Sequence, residues 1–383
     1  MESSDICGSL DFGIVLVLGD LATTTSGPNS LVSAFSGWLM KHGCDVTVVG
    51  TYSGARPAIS ELRDLFGQAH VVLHRRYFKD TWHFAPSVVG YAVRLLLSQK
   101  PHVLDIHGVW LFNGLLLGVV ARLKRWSYFL TLHGNLRPVA LNKNKTMKSI
   151  ALKLFFKRWL GGASGLIALN EQEKSDAYEV LPETSFVVLS NAVRPHPDAM
   201  STARRAEILF LGRMDPIKNL ESLIDGFARI SKQFPNWTLS IMGPSTSPSY
   251  LEELKSRSAK CGLDGKTQFH DAIHGVEKDV RMLSASIFAL TSWSEGQPLA
   301  VLEAMAHGLP VLISDQCNIN VPTNCGRVCG CSPEDIAQGL KEMLMMSVDE
   351  LGRMGSEALR FVTQEFSEEI LFKRRVQLYL KKG

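Results

Sequence analysis

The sequence predicts an α/β protein made of two doubly wound domains, and two observations lead to that prediction. First, apolar runs rich in β-branched residues alternate with segments of helical period along the whole chain. Strands without polar alternation, separated by helices, are typical of parallel sheets covered on both faces. Second, a polar segment with two prolines at residues 193–205 interrupts the alternation. Such a segment indicates a linker between domains.

Seven strands and five helices are predicted before this linker. The strands are residues 12–18, 45–50, 69–74, 102–107, 127–133, 166–169 and 186–189. The helices are residues 30–41, 86–99, 113–124, 146–160 and 171–180. Because helical crossovers join consecutive strands in this pattern, we expect the strands to be parallel.

The same alternation restarts after the linker. Its strands are residues 207–212, 237–243, 267–270, 287–291 and 310–314, its helices are 219–232, 249–260, 277–284 and 298–307, and the tail from Pro333 is mostly helical. We therefore expect a first domain at 1–192, joined by a C-terminal helix at 366–383, and a second domain at 193–365. Paired domains of this kind bind ligands where the carboxyl ends of their strands face a cleft.

The composition of the 383 residues, 45% hydrophobic and 20% charged, is that of an ordinary globular protein. No apolar run reaches the roughly 18–20 residues of a membrane span, and the acidic start MESSDICGSLD is unlike a signal peptide. Seven scattered cysteines indicate reduced thiols of a cytoplasmic protein. The cluster of Cys325, Cys329 and Cys331, with Cys317 nearby, lacks the paired spacing of structural zinc sites. Zinc is an alternative there, but we predict no metal.

The net charge of +4 conceals a basic block. No Asp or Glu occurs between Asp105 and Glu171, a stretch with a charge of +10, so the rest of the chain sums to −6. Its ten basic residues are Arg122, Lys124, Arg125, Arg137, Lys143, Lys145, Lys148, Lys153, Lys157 and Arg158. Such a block predicts an anionic partner.

The most basic part of this block, residues 143–160, also carries apolar and aromatic residues. On a regular helix, Lys153 and Lys157 share one face, and Ile150, Leu154 and Trp159 lie nearer the opposite one. A basic, aromatic amphipathic helix suits the anionic inner leaflet of a membrane, so we predict peripheral membrane association. The alternative is an apolar stripe packed on the sheet with solvated lysines. Nucleic acid is not predicted, because no recognition motif accompanies the patch.

The densest functional motif is SWSEGQPLAVLEAMAHGLPVLIS at 292–314. Pro298 suits the first turn of a helix, and Gly308 suits the residue after its end. Glu295 then precedes the helix and Glu303 lies on its second turn, so two carboxylates flank a helix mouth that binds anions or hydroxyls. The alternative is a capping acid and a solvated carboxylate.

A second motif, ILFLGRMDPIKNLESLIDGF, spans residues 208–227. It places Arg213 and Lys218 in the loop between a buried strand and a helix. Two cations beside a helix N-terminus suit a diphosphate. The alternative is a pair of surface cations.

The first domain offers two weaker motifs. His133, in LTLHGNLRP, directly follows an apolar strand, so its ring is expected at the carboxyl end of the sheet. Gly27, in TTTSGPNS, would let a phosphate approach the backbone before the first helix. The alternatives are a structural histidine at a strand end and a plain turn.

Together these segments resemble a known family, the retaining glycosyltransferases of family 4, which have two Rossmann-like domains in the GT-B fold. The resemblance runs over essentially the whole chain and includes PHVLDIHG at 101–108, His133–Gly134 and LGRMDPIKN at 211–219. Its most specific part is SEGQPLAVLEAMAHGLPV at 294–311, where seven residues separate the two glutamates. SGPNS, HGVW and HGNLRPVAL resemble bacterial members that build surface polysaccharide or lipopolysaccharide.

The resemblance implies a role for each matched residue. Arg213 and Lys218 would hold the diphosphate of a nucleotide sugar, and Gly27 would let it approach the first domain. Glu303 would hold the ribose hydroxyls and Ile273 would border the base. His133 would contact the donor sugar beside its anomeric carbon. The sugar would otherwise be held by Glu295 and by the backbone of Gly296, Gln297, Pro298 and Leu299.

The implied reaction transfers a sugar to a glycan or a polyprenyl-diphosphate-linked saccharide with retention of configuration and without a cofactor. Arg213, Lys218 and helix N-termini would stabilise the departing nucleoside diphosphate. The sequence has no Asp-x-Asp motif suited to Mg²⁺, so we expect metal independence. No carboxylate nucleophile is evident, so the leaving phosphate would deprotonate the acceptor, and Glu295 would position the sugar.

Three positions depart from the family pattern. SGP replaces a double glycine near residue 27, Ala192 follows Asn191 where glycine is usual, and Asp271–Ala272 replaces a glycine before Ile273. None removes a charged ligand, so we interpret them as variation. Two alternative functions are a sugar-nucleotide 2-epimerase on the same scaffold and a non-catalytic sugar-nucleotide-binding subunit.

Overall fold

A computed structural model describes residues 11–21, 27–77, 82–142, 144–182, 184–199 and 204–382 of the chain. The chain divides into two compact units, Met1–Ala192 with Glu368–Gly383, and Val193–Ser367. Four sequence predictions fall wholly or partly outside the described residues: the N-terminal segment through Leu10, residues 23–26 of the predicted phosphate loop, Lys143 of the basic block, and residues 200–203 of the predicted linker.

The first unit contains a seven-stranded sheet of order β3-β2-β1-β4-β5-β6-β7. Its strands are β1 Gly13–Asp20, β2 Val46–Tyr52, β3 His70–Arg75, β4 His102–His107, β5 Tyr128–Thr131, β6 Gly165–Ala168 and β7 Phe186–Val188. Its helices are α1 Gly27–Lys41, α2 Ile59–Phe66, α3 Val88–Leu97, α4 Phe112–Lys124, α5 Pro138–Asn142, α6 Lys145–Ala151, α7 Lys157–Leu160 and α8 Glu171–Val180, with a π-helical turn at Leu152–Phe156 between α6 and α7. The C-terminal helix Glu368–Lys382, α15 in chain order, also belongs to this unit.

The second unit contains a six-stranded sheet of order β10-β9-β8-β11-β12-β13. Its strands are β8 Glu207–Leu211, β9 Thr238–Met242, β10 Thr267–His270, β11 Ile287–Leu290, β12 Val311–Ser314 and β13 Gly326–Cys329. Its helices are α9 Leu220–Ile230, α10 Pro248–Lys260, α11 Gly275–Ser284, α12 Leu299–Ala306, α13 Pro333–Leu344 and α14 Val348–Glu365, with 3₁₀ turns at Pro216–Lys218 and Asp315–Cys317.

All strand pairs between these named strands are parallel, as in β1 with β4 and β8 with β11. The apolar strands are buried on both faces; Ile14 to Leu18 of β1 and Ile208 to Phe210 of β8 are each at most 1% exposed. The predicted fold class, two doubly wound parallel α/β domains, is therefore confirmed. The strand order reverses between β1 and β4 and between β8 and β11, and a sheet of this type binds ligands beside such a reversal.

The structure corrects the prediction of one regular helix at 146–160. The segment is α6, the π-helical turn and α7 in succession. Trp159 is buried, whereas Ile150 and Leu154 are 54% and 64% exposed, so these three do not share a face. Lys148 is also buried, and its Nζ donates to the Ala140 carbonyl at 2.6 Å. The segment thus has one apolar side that is buried, with Trp159, and a second apolar side that is exposed, with Ile150 and Leu154.

Two further differences concern short elements and cysteines. The sequence prediction missed α2, a short helix that buries only Leu62 and Phe66.

The described cysteines are mostly free thiols, namely Cys261, Cys317, Cys325, Cys329 and Cys331. Cys44 is disulfide-bonded, so the expectation of reduced thiols is wrong at that position.

Candidate functional site

Lys218 and Glu295 meet in the second unit, on loops that follow the neighbouring strands β8 and β11. Lys218 Nζ lies 2.5 Å from Glu295 Oε1, and both side chains are less than one-fifth exposed. The Ser292 hydroxyl donates to the same carboxylate oxygen at 2.6 Å. The amide of Asn318 donates to the Glu295 carbonyl at 2.6 Å. The carboxylate is therefore held in one orientation by a cation and a hydroxyl.

Hydrogen bonds between the two loops explain why these residues meet. The Trp293 N–H donates to the Ile217 carbonyl at 2.8 Å. Asn219, whose φ of 56° lies in the left-handed region, donates its side-chain amide to the carbonyls of Thr291 and Cys331 at 3.1 and 2.8 Å. Asp215 caps the 3₁₀ turn that carries Lys218. The backbone thus fixes the lysine beside the loop that follows β11.

Arg213 projects from the start of the same β8–α9 loop. Its side chain is 62% exposed and pairs with Asp215, with NH2 3.2 Å from Oδ2. The backbone here approaches the next loop closely, because a Cβ on Gly243 would lie 2.0 Å from the Gly212 carbonyl oxygen. Glycine is required there, and the exposed guanidinium can reorient toward an anion.

Helix α12 carries the second glutamate. Glu303 Oε1 lies 2.8 Å from Lys278 Nζ of α11, and both side chains are about one-quarter exposed. Pro298 is the N-cap of α12 rather than part of its first turn, and its own side chain makes no capping hydrogen bond. Gly308, with φ of 69°, follows the helix as predicted. The sequence prediction did not find Lys278, because its link to Glu303 spans 25 residues.

The remaining predicted residues of this unit surround α12 and the β10–α11 loop. Gln297 and Pro298 are buried, and Leu299 is the first residue of α12. Ile273 is partly buried against the core before α11. Gly296 lies between Glu295 and Gln297 in the loop that follows β11. The N–H groups in the first turn of α12, a helix of eight residues, face its N-terminal end, where helices bind anions or hydroxyls.

His133 lies just beyond β5 in the first unit and pairs with a second histidine. Its Nε2 is 3.0 Å from Nδ1 of His107, the last residue of β4. His133 has a φ of 49°, a left-handed backbone conformation that is uncommon for non-glycine residues and that clusters at functional sites. Burial lowers the pKa of both rings, so both are neutral at pH 7. The sequence prediction had named His133 but not His107.

A buried charge network lies behind the two histidines. His107 Nε2 is 3.4 Å from Asp105 Oδ2. Asp105 receives two hydrogen bonds from Arg375 of α15, at 2.7 and 2.9 Å, and one from the Tyr379 hydroxyl. Burial is the largest single influence and raises the pKa of Asp105, but the charges and hydrogen bonds of Arg375 and His107 together outweigh it and hold the pKa well below its usual range. The contacts therefore form a chain that runs from Arg375 through Asp105 and His107 to His133.

Glu173 fixes the turn that presents His133. Its carboxylate accepts the N–H groups of Gly134 and of Leu169, the latter at 2.6 Å. Asn170 caps α8 by accepting the Glu173 N–H at 2.8 Å. Burial raises the pKa of Glu173. The Asn170–Glu173 spacing is a helix-start signal that sequence reasoning could have used.

Gly27 is the first residue of α1. Asn29, buried on the same turn, donates its amide to the Asp20 carbonyl at the end of β1 at 2.9 Å. The start of α1 is therefore anchored at the carboxyl end of the sheet. The sequence analysis expected Gly27 in the turn before a helix at 30–41, whereas the helix begins at Gly27 itself.

Within the described ranges, His196, Asp279 and His307 form the one group with ligand atoms close enough together for a metal ion; the cysteine cluster of 317–331 does not. No helix in the described part of the chain is long and apolar enough to cross a membrane.

Comparisons with known proteins cover both units. The family Glycosyl transferases group 1 matches residues 199–360, and the Glycosyl transferase 4-like domain matches residues 26–192. An uncharacterized glycosyltransferase of Haemophilus influenzae is 28% identical over 38% of this chain and 40% of its own length. The O-antigen biosynthesis glycosyltransferase WbnH of Escherichia coli is 26% identical over 39% of this chain and 40% of its own length. The chain thus spans less than half the length of these curated relatives.

Among solved structures, HepE of Anabaena in complex with UDP and glucose superposes with a TM-score of 0.77 at 15% identity, covering 97% of this chain and 100% of that one. At this identity the likeness concerns the fold, which is that of the GT-B glycosyltransferases.

Proposed function

Since this chain belongs to the group 1 glycosyltransferases, we propose that it transfers a sugar from a nucleotide-diphosphate donor with retention of configuration. The observation that carries the proposal is the contact of Lys218 with Glu295 at 2.5 Å beside the start of α12. A cation, a carboxylate and a helix N-terminus at the carboxyl ends of β8 and β11 suit an anionic, hydroxyl-rich ligand.

The proposed roles follow from these positions. Lys218 and the exposed Arg213 bind the diphosphate and stabilise the charge that develops as it departs. Lys218 exchanges its contact with Glu295 for a phosphate oxygen, and the freed carboxylate accepts hydrogen bonds from the donor sugar. Glu303 accepts the ribose hydroxyls, and Ile273 borders the base. UDP is the first nucleotide to test, because HepE was solved with it.

The proposed chemistry needs neither a metal nor a cofactor. The leaving phosphate takes the proton of the acceptor hydroxyl on the face from which it departs, so the configuration is retained. His133, neutral and held by His107, is the residue that contacts the donor sugar beside its anomeric carbon. Gly27, at the start of α1, lets the diphosphate approach.

A ligand panel and a product assay test this proposal. Thermal unfolding is measured in the presence of UDP, GDP, ADP or dTDP, or of the corresponding nucleotide sugars. A ligand at 100 times its Kd raises the free energy of unfolding by about 2.7 kcal/mol. NMR of the product anomer tests retention, and excess chelator tests metal independence. Formation of an epimer from donor alone would instead identify a 2-epimerase. No stabilisation by any nucleotide, or an inverted product, would contradict the proposal.

We further propose a role in building bacterial surface polysaccharide on a lipid-linked acceptor at the inner membrane surface. The similarity to WbnH supports this, as does the outer side of the basic segment, where Met147, Ile150 and Leu154 are 44–64% exposed. Lys145, Lys153 and Lys157 are exposed on the same segment.

Vesicle co-sedimentation tests the membrane proposal. The triple change of Lys145, Lys153 and Lys157 to Glu should abolish binding to vesicles with 30% phosphatidylglycerol, since each cation near such a surface contributes about 1 kcal/mol. Lys148 is left unchanged because it is buried. Changing Lys232, Lys255 and Lys260 of the second unit to Glu is the matched control. Equal binding to neutral vesicles, or no loss in the triple variant, would contradict the proposal.

A further inference from the structure

The first unit contains an open cavity of about 380 Å³ between the start of α4 and the α6–π segment. Its surface is almost wholly apolar, and its size lies in the range of small-molecule pockets. It is lined by Trp82, Phe84, Phe112, Leu115, Phe155 and Phe156, with Ala151 between them. A pocket with so little polar surface suits a hydrocarbon chain.

The π-helical turn shapes the mouth of this cavity. Phe156 is buried, and its ring lies 5.2 Å from those of Trp82 and Trp110, measured between centroids. The preceding Phe155 is 61% exposed although it lines the same cavity. Single π turns inside helices are frequent at functional sites. One ring is therefore fixed in the core while its neighbour stands at the opening.

Cations lie on the same chain segment as Phe155 and Phe156, which line the cavity. Lys153 belongs to the π-helical turn itself, and Lys157 begins α7. Together with Lys145, they make no ion pair with any residue that the structure describes, and the sequence has no acidic residue between Asp105 and Glu171. An apolar cavity whose lining segment also carries unneutralised cations is complementary to a ligand with a hydrocarbon chain and an anionic head.

We propose that this cavity takes the hydrocarbon chain of a lipid whose diphosphate carries the acceptor sugar, with Lys153 and Lys157 facing the diphosphate. A recessed cavity of this volume accommodates part of one chain rather than a bilayer surface. Several adjacent cations match a diphosphate better than a phosphodiester. This inference rests on the proposed transferase function and its lipid-linked acceptor, and it assigns the cavity of the first unit to the hydrocarbon chain of that acceptor.

Calorimetric titration of the full chain with farnesyl diphosphate tests the inference. The wild-type protein should bind it at least tenfold more tightly than inorganic diphosphate. Phe155→Asp should weaken farnesyl diphosphate binding at least tenfold. Leu154→Asp is the matched control, because Leu154 is 64% exposed and does not line the cavity. UDP binding, measured in parallel, should be unchanged in both variants.

A second pair of variants fills the cavity instead of charging its mouth. Ala151→Trp should weaken farnesyl diphosphate binding, whereas Ser149→Trp, at an exposed position of the same helix, should not. Equal affinity for farnesyl and inorganic diphosphate, or equal loss in a variant and its control, would overturn the inference. Equally tight binding of short-chain phosphatidylglycerol, lost in Phe155→Asp, would assign the cavity to bulk lipid and overturn the acceptor assignment. Failure of the transferase proposal appears separately, as absence of UDP and donor binding in the wild-type protein.

Discussion

Arg375 and Asp105 form a bidentate ion pair in the interior of the first unit, although 270 positions separate them in sequence. Asp105 is fully buried and Arg375 is 3% exposed. Tyr379 and Thr131 complete the hydrogen bonds of the pair. Through this pair, the C-terminal helix lies directly behind the histidines at the ends of β4 and β5.

Removing the cation of this pair should strongly destabilise the first unit. Arg375→Met leaves the Asp105 carboxylate buried without its partner, a change that costs about 3–5 kcal/mol. Calorimetry of thermal unfolding measures the loss. Arg374→Met, at an exposed position of the same helix, should change stability by less than about 0.5 kcal/mol. Similar unfolding of the two variants would contradict the prediction.

The neutral state of His133 predicts the pH dependence of turnover. Burial lowers the pKa of His133 well below its ordinary 6.5, so the ring stays neutral while the pH falls through that value. We expect kcat/KM to show no ionisation of this group near pH 6.5. We also expect His133→Gln to lower kcat without changing the shape of the profile. An acidic limb near 6.5 that disappears in His133→Gln would count against the prediction.

The lowered pKa values of His107 and His133 also determine how the stability of the fold changes with pH. A group whose folded pKa is depressed contributes stability that is complete above its unfolded pKa and is lost as the pH falls. For His107 and His133 the loss begins near pH 6.5, because the unfolded chain binds protons there that the folded chain does not. His107→Gln should therefore flatten the decline of Tm between pH 7 and 5. A decline as steep as in the wild type would show that His107 is not responsible.

Loss of Lys218 should impair turnover more than loss of a surface lysine. Lys218→Gln removes the cation beside Glu295, and loss of one such stabilising donor typically costs about 100–1,000-fold in kcat. Donor titrations with steady-state kinetics measure the effect. Lys255→Gln, which removes an exposed partner of Glu252, is the matched control and should leave the rate unchanged. Equal rates in the two variants would remove Lys218 from the site.

Glu303 should affect donor affinity rather than the chemical step. Glu303→Gln keeps the shape of the side chain but weakens charge-assisted hydrogen bonds to hydroxyls, which contribute about 1.5–3 kcal/mol each. We expect the donor KM to rise roughly tenfold while kcat changes little. Glu365→Gln, at the exposed end of α14, is the control. A drop in kcat with constant KM would place Glu303 at the reacting centre instead.

Local sequence signals predicted the sheets and the loops that follow β5, β8 and β11. Fully apolar strands identified both parallel sheets, and the loop prolines and glycines placed Lys218 and Glu295 at strand ends. The partners of these residues were not predictable in the same way. Lys278 contacts Glu303 across 25 residues and Arg375 contacts Asp105 across 270, and no local pattern encodes such pairings. The π-helical turn was missed because helical periodicity assumes a constant 3.6 residues per turn.

The ion pair of α15 also bears on the order in which the chain folds during synthesis. Residues Val193–Ser367 are contiguous, so the second unit can fold as soon as its own last strand and helices have left the ribosome. The first unit is interrupted, and Asp105 is translated 270 residues before Arg375. At about 5–20 residues per second, its carboxylate waits roughly 14–54 seconds for its partner. The unit whose synthesis begins first is therefore completed last, and until Arg375 is made its buried carboxylate lacks the cation that balances it.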